Sequence, residues 1–201
     1  MTKEEILARA SVIREESRLK SLPVMREGTA ALLASLTSAR MPAQALEIGT
    51  CAGVSGLTAL AAGAQKLTTV EIDSDLAETA RKNFAECGLS GRVTVINDDC
   101  RVALRYLEGN VYDMVVLDGP KSDLDFQYET CLGMLSDGGL IFIDDVAYHG
   151  MIKAEGAPHK QRTIINAMRT FLRKLENDER VTVKFYDIED GVAVAEKKYD
   201  E

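Results

Sequence analysis

The stretch Ala45-Leu-Glu-Ile-Gly-Thr-Cys-Ala-Gly-Val-Ser55 decides the fold. Its apolar start predicts a buried strand, and a helix is expected to begin near Val54. Gly49 and Gly53 bracket the turn between them, where glycine permits positive φ and a close approach of main-chain N–H groups to a ligand. The helix N-terminus adds unpaired N–H donors and partial positive charge. The stretch therefore predicts a nucleotide-type site at the carboxyl end of a first parallel strand.

The glycine spacing indicates which nucleotide is bound. A dinucleotide fingerprint reads G-x-G-x-x-G, whereas this turn has two glycines and an acid, Glu47, two residues before the first. A carboxylate suits a ligand with an ammonium and a sulfonium group better than a pyrophosphate. The pattern favours S-adenosylmethionine (SAM), with a nicotinamide oxidoreductase as the alternative. Glu71 ends the next apolar run, where an acceptor for ribose hydroxyls is expected ~20 residues on.

Composition describes one compact domain of 201 residues with 46% hydrophobic content. No apolar run approaches the ~20 residues of a membrane span, and the N-terminus lacks the apolar core of a signal peptide. Four cysteines without CxxC pairing suit a reducing cytoplasm. A net charge of −8 argues against non-specific nucleic-acid binding. Any metal is expected to be a hard cation held by carboxylates.

Apolar runs and helical patterns alternate along the chain, which predicts an α/β fold with a doubly wound parallel sheet. Two N-terminal helices are expected within residues 1–40, before a Rossmann-like core over 43–196. The last two apolar runs are joined around Asp190-Gly191, which predicts an antiparallel hairpin at the sheet edge. Between the first strand and this hairpin, the predicted strands are 66–72, 92–96, 111–117 and 140–143. The predicted helices are 54–62, 74–87, 102–107, 124–135 and 163–175, and Ser74 is expected to be the N-cap of the second of these. A turn is expected at Gly138-Gly139.

Acidic residues follow two of these strands. Asp118 comes after Val115-Val-Leu117, and Asp144-Asp145 after Ile141-Phe-Ile143. The carboxyl ends of parallel strands share one crevice, so three carboxylates should converge beside the cationic ligand. Because they would repel one another, they predict a hard divalent cation, Mg²⁺ or Mn²⁺. Lys121, three residues after Asp118, is a candidate general base.

Together these motifs resemble the class I SAM-dependent, metal-dependent O-methyltransferases, which include the catechol and caffeoyl-coenzyme A enzymes. The resemblance spans Leu46 to about Gly191. It implies a seven-stranded, mostly parallel sheet with a reversed last strand. It implies that Asp118, Asp144 and Asp145 hold the metal and that Lys121 and Asp118 are catalytic. The cofactor residues it implies are Met25, Glu47, Gly49, Gly53, Ser55, Glu71, Asp99, Cys100 and Asp118.

Two positions depart from the family pattern. The family usually has Asn where this chain has Asp145, which adds a negative charge to the metal site. It usually has an aromatic residue where Val54 stands. Family members are commonly dimers, so a homodimer is expected.

The acceptor must offer two adjacent oxygens, as a catechol or 5-hydroxyuridine does. Leu22-Pro-Val-Met-Arg26 and His159-Lys-Gln-Arg-Thr163 resemble the bacterial branch that methylates 5-hydroxyuridine in tRNA. From Lys153 to Lys174 there are six basic residues and one acidic residue, a net charge of +5, and Arg162, Asn166, Arg169 and Arg173 share one helical stripe. This favours tRNA over a small phenol. The other interpretations are an ordinary solvated helix face and a non-catalytic RNA-binding scaffold.

Overall fold

A computed structural model describes residues 1–147, 150, 152 and 162–199. Its centre is a seven-stranded sheet of order β3-β2-β1-β4-β5-β7-β6. The strands are β1 (Gln44–Ile48), β2 (Lys66–Glu71), β3 (Val93–Asn97), β4 (Tyr112–Leu117), β5 (Leu135–Ile143), β6 (Val181–Tyr186) and β7 (Val192–Lys197). Strands β1 to β5 are parallel, while β7 runs antiparallel to both β5 and β6. The predicted Rossmann-like sheet and its antiparallel C-terminal hairpin are confirmed.

Helices cover the sheet. They are α1 (Lys3–Leu19), α2 (Glu27–Arg40), α3 (Val54–Ala62), α4 (Ser74–Glu86), α5 (Cys100–Leu107), α6 (Leu124–Gly133) and α7 (Arg162–Glu176). Short 3₁₀ turns lie at Ser90–Arg92 and Lys121–Asp123. None of the helices in the described ranges is long and apolar enough to cross a bilayer.

The central strands explain where a ligand can bind. Strand β1 pairs with β2 on one side and with β4 on the other. Strands β2 and β3 are therefore added on one side of β1, and β4 and β5 on the opposite side, so the strand order reverses between β1 and β4. At such a switch point the crossover connections leave to opposite faces, and a crevice opens at the carboxyl ends of the strands. Because helices cover both faces, β4 is almost entirely buried.

The N-terminal helices pack against α3. In α1 the apolar positions Ile6, Ala10 and Ile13 are buried, as their helical spacing predicts. Thr2 and Glu5 form a capping box that fixes the start of this helix. The division into residues 1–40 and a core over 43–196 stays a prediction.

Three local expectations are wrong. Strand β5 begins at Leu135, so Gly138-Gly139 lies within the strand as an irregularity with positive φ at Gly138, not in a turn before it. Helix α6 accordingly ends at Gly133. The N-cap of α4 is Asp73, not Ser74, because the Asp73 carboxylate accepts the backbone N–H groups of the next turn.

Candidate active site

The site lies where β1, β4 and β5 end side by side. The N–H of Asp118 donates to the Ile48 carbonyl at 2.9 Å, and the N–H of Asp144 donates to the Leu117 carbonyl at 3.1 Å. These backbone bonds continue the sheet by one residue and bring the acids that follow β4 and β5 to the same edge. Above them is a cleft with a volume of about 1020 Å³.

Gly49 is required by the close approach of two strand ends. Its φ is +97°, and a Cβ placed there would lie 2.5 Å from the carbonyl oxygen of Asp118. Any side chain would therefore push β4 away from β1 and displace Asp118. The glycine thus fixes the position of an acid 69 residues further along the chain.

Three carboxylates form a cluster at this edge. Ligand oxygens of Asp118, Asp144 and Asp145 all lie within 4.8 Å of one another. Asp144 is only 4% exposed, and its carboxylate accepts the N–H of Asp145 at 2.8 Å. Asp145 has a left-handed φ of 54°, a conformation that Asp and Asn tolerate better than most residues. The backbone therefore suits both the Asp of this chain and the Asn of the family pattern.

The electrostatics of the cluster fit a hard cation. Burial, together with repulsion among the carboxylates, raises the pKa of Asp118 to about 7 and that of Asp144 to about 8. Lys121 opposes this by lowering the pKa of Asp118. Carboxylate oxygens are the preferred ligands of Mg²⁺ and similar ions. A divalent cation would compensate the negative charge that burial disfavours here.

Lys121 lies in the 3₁₀ turn that follows β4. Its side chain is 10% exposed, and its Nζ is 3.7 Å from Oδ1 of Asp118. This nitrogen is buried and has no hydrogen-bond partner in the described part of the chain. The amine nitrogen is therefore available to a ligand in the cleft.

Glu71 stands at the other side of the cleft, at the end of β2. One carboxylate oxygen accepts the Cys51 N–H at 2.7 Å and the other accepts the Asp73 N–H at 3.0 Å. The side chain is therefore fixed from both sides and is 9% exposed. Each oxygen keeps a lone pair for a ligand hydroxyl, which agrees with the predicted ribose contact.

Glu47 differs from expectation, because its carboxylate does not line the cleft. Alternation along β1 places Glu47 on the same face as Ala45, beneath α3. Glu47 is 1% exposed, its Oε2 accepts the Thr69 hydroxyl at 2.6 Å, and its Oε1 has no partner among the described residues. Gly53 and Ser55 also lie outside the cleft lining, and Ser55 is buried beside Glu47.

The remaining predicted residues do line the cleft. Met25, Asp99 and Cys100 do so together with the groups already described. Asp99 also accepts the Arg101 N–H and caps α5. Sequence reasoning missed several lining residues, which have no motif of their own: Arg14, Arg18, Leu76, Asp98, Pro120, Ile164 and Glu189.

Replacing Glu47 by Gln should flatten the pH dependence of stability. Burial raises the pKa of Glu47 to about 7 from an ordinary 4.5. The contribution of protonated Glu47 to the free energy of unfolding is therefore fully present below about pH 4.5 and is lost as pH rises through 7. The linkage between protonation and folding makes this contribution about 3 kcal/mol. In denaturant unfolding with EDTA present, the free energy of unfolding of Glu47→Gln relative to wild type should increase by that amount as pH rises from 4.5 to 7.5.

Asp118 and Asp144 are present in both proteins, so their own titration largely cancels. Removing the Glu47 charge also relieves its repulsion of Asp118, which adds to the gain in the same direction. The matched control is Glu78→Gln on the exposed face of α4, which should follow the wild-type curve. A constant difference between Glu47→Gln and wild type across this pH range would contradict the assignment.

The basic stripe of α7 is confirmed only in part. Arg162, Asn166 and Arg173 are exposed, whereas Arg169 is half-buried and donates to the Ile152 carbonyl at 3.0 Å. On the same helix, Lys174 is paired with Asp125 and Glu129, at 2.6 and 2.8 Å. Lys153, Glu155 and the 159–161 part of the predicted RNA-binding motif lie outside the described residues.

Comparison with known proteins identifies the family. A family model described as O-methyltransferase matches residues 4–198. The probable caffeoyl-CoA O-methyltransferase 1 of Dictyostelium discoideum is 30% identical over 158 residues, which cover 76% of this chain and 68% of that protein. A probable O-methyltransferase of Mycobacterium tuberculosis is 32% identical over 167 residues, covering 82% and 72%.

Solved structures share the fold. TomG from Streptomyces achromogenes, in complex with SAM, gives a TM-score of 0.84 at 24% identity and covers 97% of this chain and 90% of that one. The Bacillus cereus O-methyltransferase, in complex with SAH, gives 0.83 at 20% identity, covering 95% and 91%. The chain belongs to the O-methyltransferase family, and it is an enzyme of that class.

Proposed function

We propose that this enzyme uses SAM and a divalent cation to methylate a hydroxyl that has a second oxygen beside it, with 5-hydroxyuridine in tRNA as the acceptor. The observation that carries the proposal is the arrangement of Asp118, Asp144 and Asp145 with Lys121 in one cleft. Family membership supports SAM as the methyl donor.

Each side chain has a role that its position supports. Asp118, Asp144 and Asp145 would hold Mg²⁺ or Mn²⁺. When bound, such an ion supplies Lewis-acid chemistry, in which a coordinated hydroxyl loses its proton more easily. Lys121 is placed beside Asp118 to hold or share the proton that leaves the acceptor oxygen. Glu71 would accept the ribose hydroxyls of SAM and orient the donor.

The mouth of the cleft supports an acceptor that carries phosphate. Arg14, Arg18 and Arg26 line the wall formed by α1 and the segment before α2. The Arg26 side chain makes no hydrogen bond or ion pair to the residues that the structure describes, and Arg18 is paired only loosely with Glu15, at 3.5 Å between largely exposed groups. Glu27 shares this wall. Guanidinium groups bind phosphate oxygens in a bidentate manner.

A small catechol-type phenol is the second candidate. The observation in its favour is that Lys174 is neutralised by two acids and Arg169 is used within the protein, so α7 offers less basic surface than its sequence indicates. An aromatic fraction of 5% without Trp also offers few stacking platforms for a base.

One labelling experiment separates these functions. The enzyme is supplied with methyl-labelled SAM, Mg²⁺ and bulk tRNA from cells that lack it, beside a panel of catechols. We expect label in tRNA at the wobble uridine. Turnover of a catechol with unlabelled tRNA would reverse the choice of acceptor, and tRNA binding without methyl transfer would indicate a scaffold.

Reversing the charge of Arg18 to Glu should raise the KM for tRNA. If Arg18 contacts a phosphate, the KM should rise severalfold and depend less steeply on salt. The KM for a catechol should not change. The matched control is Lys82→Glu on the exposed face of α4, outside the cleft. An unchanged KM for tRNA would remove this wall from the RNA-binding surface.

Two further expectations remain proposals. A homodimer is proposed from the family resemblance, and sedimentation at micromolar concentration tests it, with a monomer contradicting it. Location in the cytoplasm is proposed from the cysteine pattern, and fractionation of cells tests it.

A further inference from the structure

The turn between β6 and β7 contacts the start of α2 beside the cleft. Glu189, in this turn, accepts the backbone N–H groups of Gly28 and Thr29, both at 3.0 Å, and the Thr29 hydroxyl at 2.8 Å. These donors belong to the first turn of α2. The N-cap residue of that helix, Arg26, provides no side-chain cap, so Glu189 supplies from a distance what a local cap would normally supply.

The contact is close and has a conformational cost. Glu189 has a left-handed φ of 52°, which disfavours residues other than glycine. A Cβ on Gly28 would lie 3.2 Å from the Glu189 carboxyl carbon and 3.1 Å from Ile188. The carboxylate thus makes its hydrogen bonds from a strained backbone position, opposite a residue with no side chain.

The same turn is also joined to the metal side of the cleft. The carbonyl of Asp190 accepts the Ala147 N–H at 2.7 Å, and that of Gly191 accepts the Val146 N–H at 3.0 Å. Val146 directly follows the predicted metal ligand Asp145. The turn therefore contacts the segment after β5 through its backbone and the start of α2 through Glu189.

The segment that Glu189 fixes forms part of the cleft wall. Met25 and Arg26 line the cleft immediately before α2. On its other side, the Met25 carbonyl accepts the Nε–H of Arg14 at 2.9 Å. Arg14 and Glu189 thus hold this wall at its two ends.

We infer that Glu189 is a positioning residue, which sets the N-terminal wall of the cofactor cleft by capping α2 from the β6–β7 turn. The inference rests on the cofactor half of the proposed function, and it concerns neither the metal nor the acceptor. Without the carboxylate, this wall should be less ordered in the free protein. Cofactor binding would then include the free-energy cost of ordering the wall, which lowers the affinity.

The test is SAH binding by calorimetry, without metal or acceptor, using Glu189→Gly. Glycine relieves the left-handed φ while removing the carboxylate, so folding should be preserved. We expect SAH to bind about fivefold more weakly and the Gly28 and Thr29 amides to exchange faster with deuterium. Glu189→Gln retains an acceptor oxygen and should fall between Glu189→Gly and wild type.

The matched control is Glu196→Ala, which removes an ion pair with Arg40 at the opposite end of α2. It should bind SAH as wild type does. Wild-type affinity in Glu189→Gly would overturn the inference, and so would an equal loss in Glu196→Ala, because the effect would then come from general loosening of α2. Failure of the wild-type enzyme to bind SAH would overturn the proposed cofactor as well.

Discussion

Replacing Asp144 by Asn is expected to lower kcat at least about a hundredfold. Asp144 is buried between Asp118 and Asp145, and its charge is disfavoured unless a cation compensates it. Without this carboxylate, the cluster should lose most of its affinity for Mg²⁺. Initial rates at a fixed Mg²⁺ concentration, with EDTA added to a parallel wild-type sample, measure both effects, and the two losses should be similar in size.

The variant must still bind its cofactor for this result to identify the metal site. SAH affinity should therefore remain within a few-fold of wild type, since Glu71 is intact. Asp137→Asn, at a partly exposed acid in β5 outside the cleft, is the matched control and should retain full activity. Wild-type turnover in Asp144→Asn, or activity that persists in EDTA, would remove the metal from the proposed function.

The second large effect is expected for Lys121→Met, with a loss in kcat of about 10² to 10⁴. The side chain of Lys121 is buried beside Asp118, so water replaces it poorly as a proton acceptor. Removing it should also raise the pKa of Asp118 further, because Lys121 lowers that pKa. Rates should therefore be compared at alkaline pH and saturating Mg²⁺, where Asp118 is ionised in both proteins.

Under these conditions, any decrease in kcat that remains is due to the absence of the Lys121 amine and not to the protonation of Asp118. Lys66→Met, at the exposed start of β2, is the control and should behave as wild type. Full recovery of Lys121→Met at alkaline pH and saturating Mg²⁺ would assign Lys121 an electrostatic role on Asp118 and contradict its role as a base.

The sequence predicted those features that depend on local patterns. Buried parallel strands appear as short apolar runs, so β4 could be placed within a residue. The acids after β4 and β5 were expected to meet because strand ends in a parallel sheet share an edge, and Asp118, Asp144 and Asp145 do so. The turn after β1 was expected to approach a ligand, and Gly49 in that turn lines the cleft.

Features that depend on tertiary contacts could not be predicted in this way. The direction of Glu47 follows from strand alternation and from the helix that happens to cover that face. The bond from Glu189 to Thr29 joins residues 160 positions apart, and no local pattern records it. The basic stripe on α7 was visible in the sequence, but the acids that pair with Lys174 come from α6.

The way Glu71 is held has a consequence for product inhibition. Its carboxylate is held by two backbone N–H groups of the protein itself. It should therefore bind the ribose of SAH, the product, as tightly as that of SAM. SAH and SAM differ only at sulfur, in one methyl group and one positive charge. Discrimination between them is therefore expected at the sulfur and not at Glu71, and turnover should slow as SAH accumulates unless another enzyme removes it.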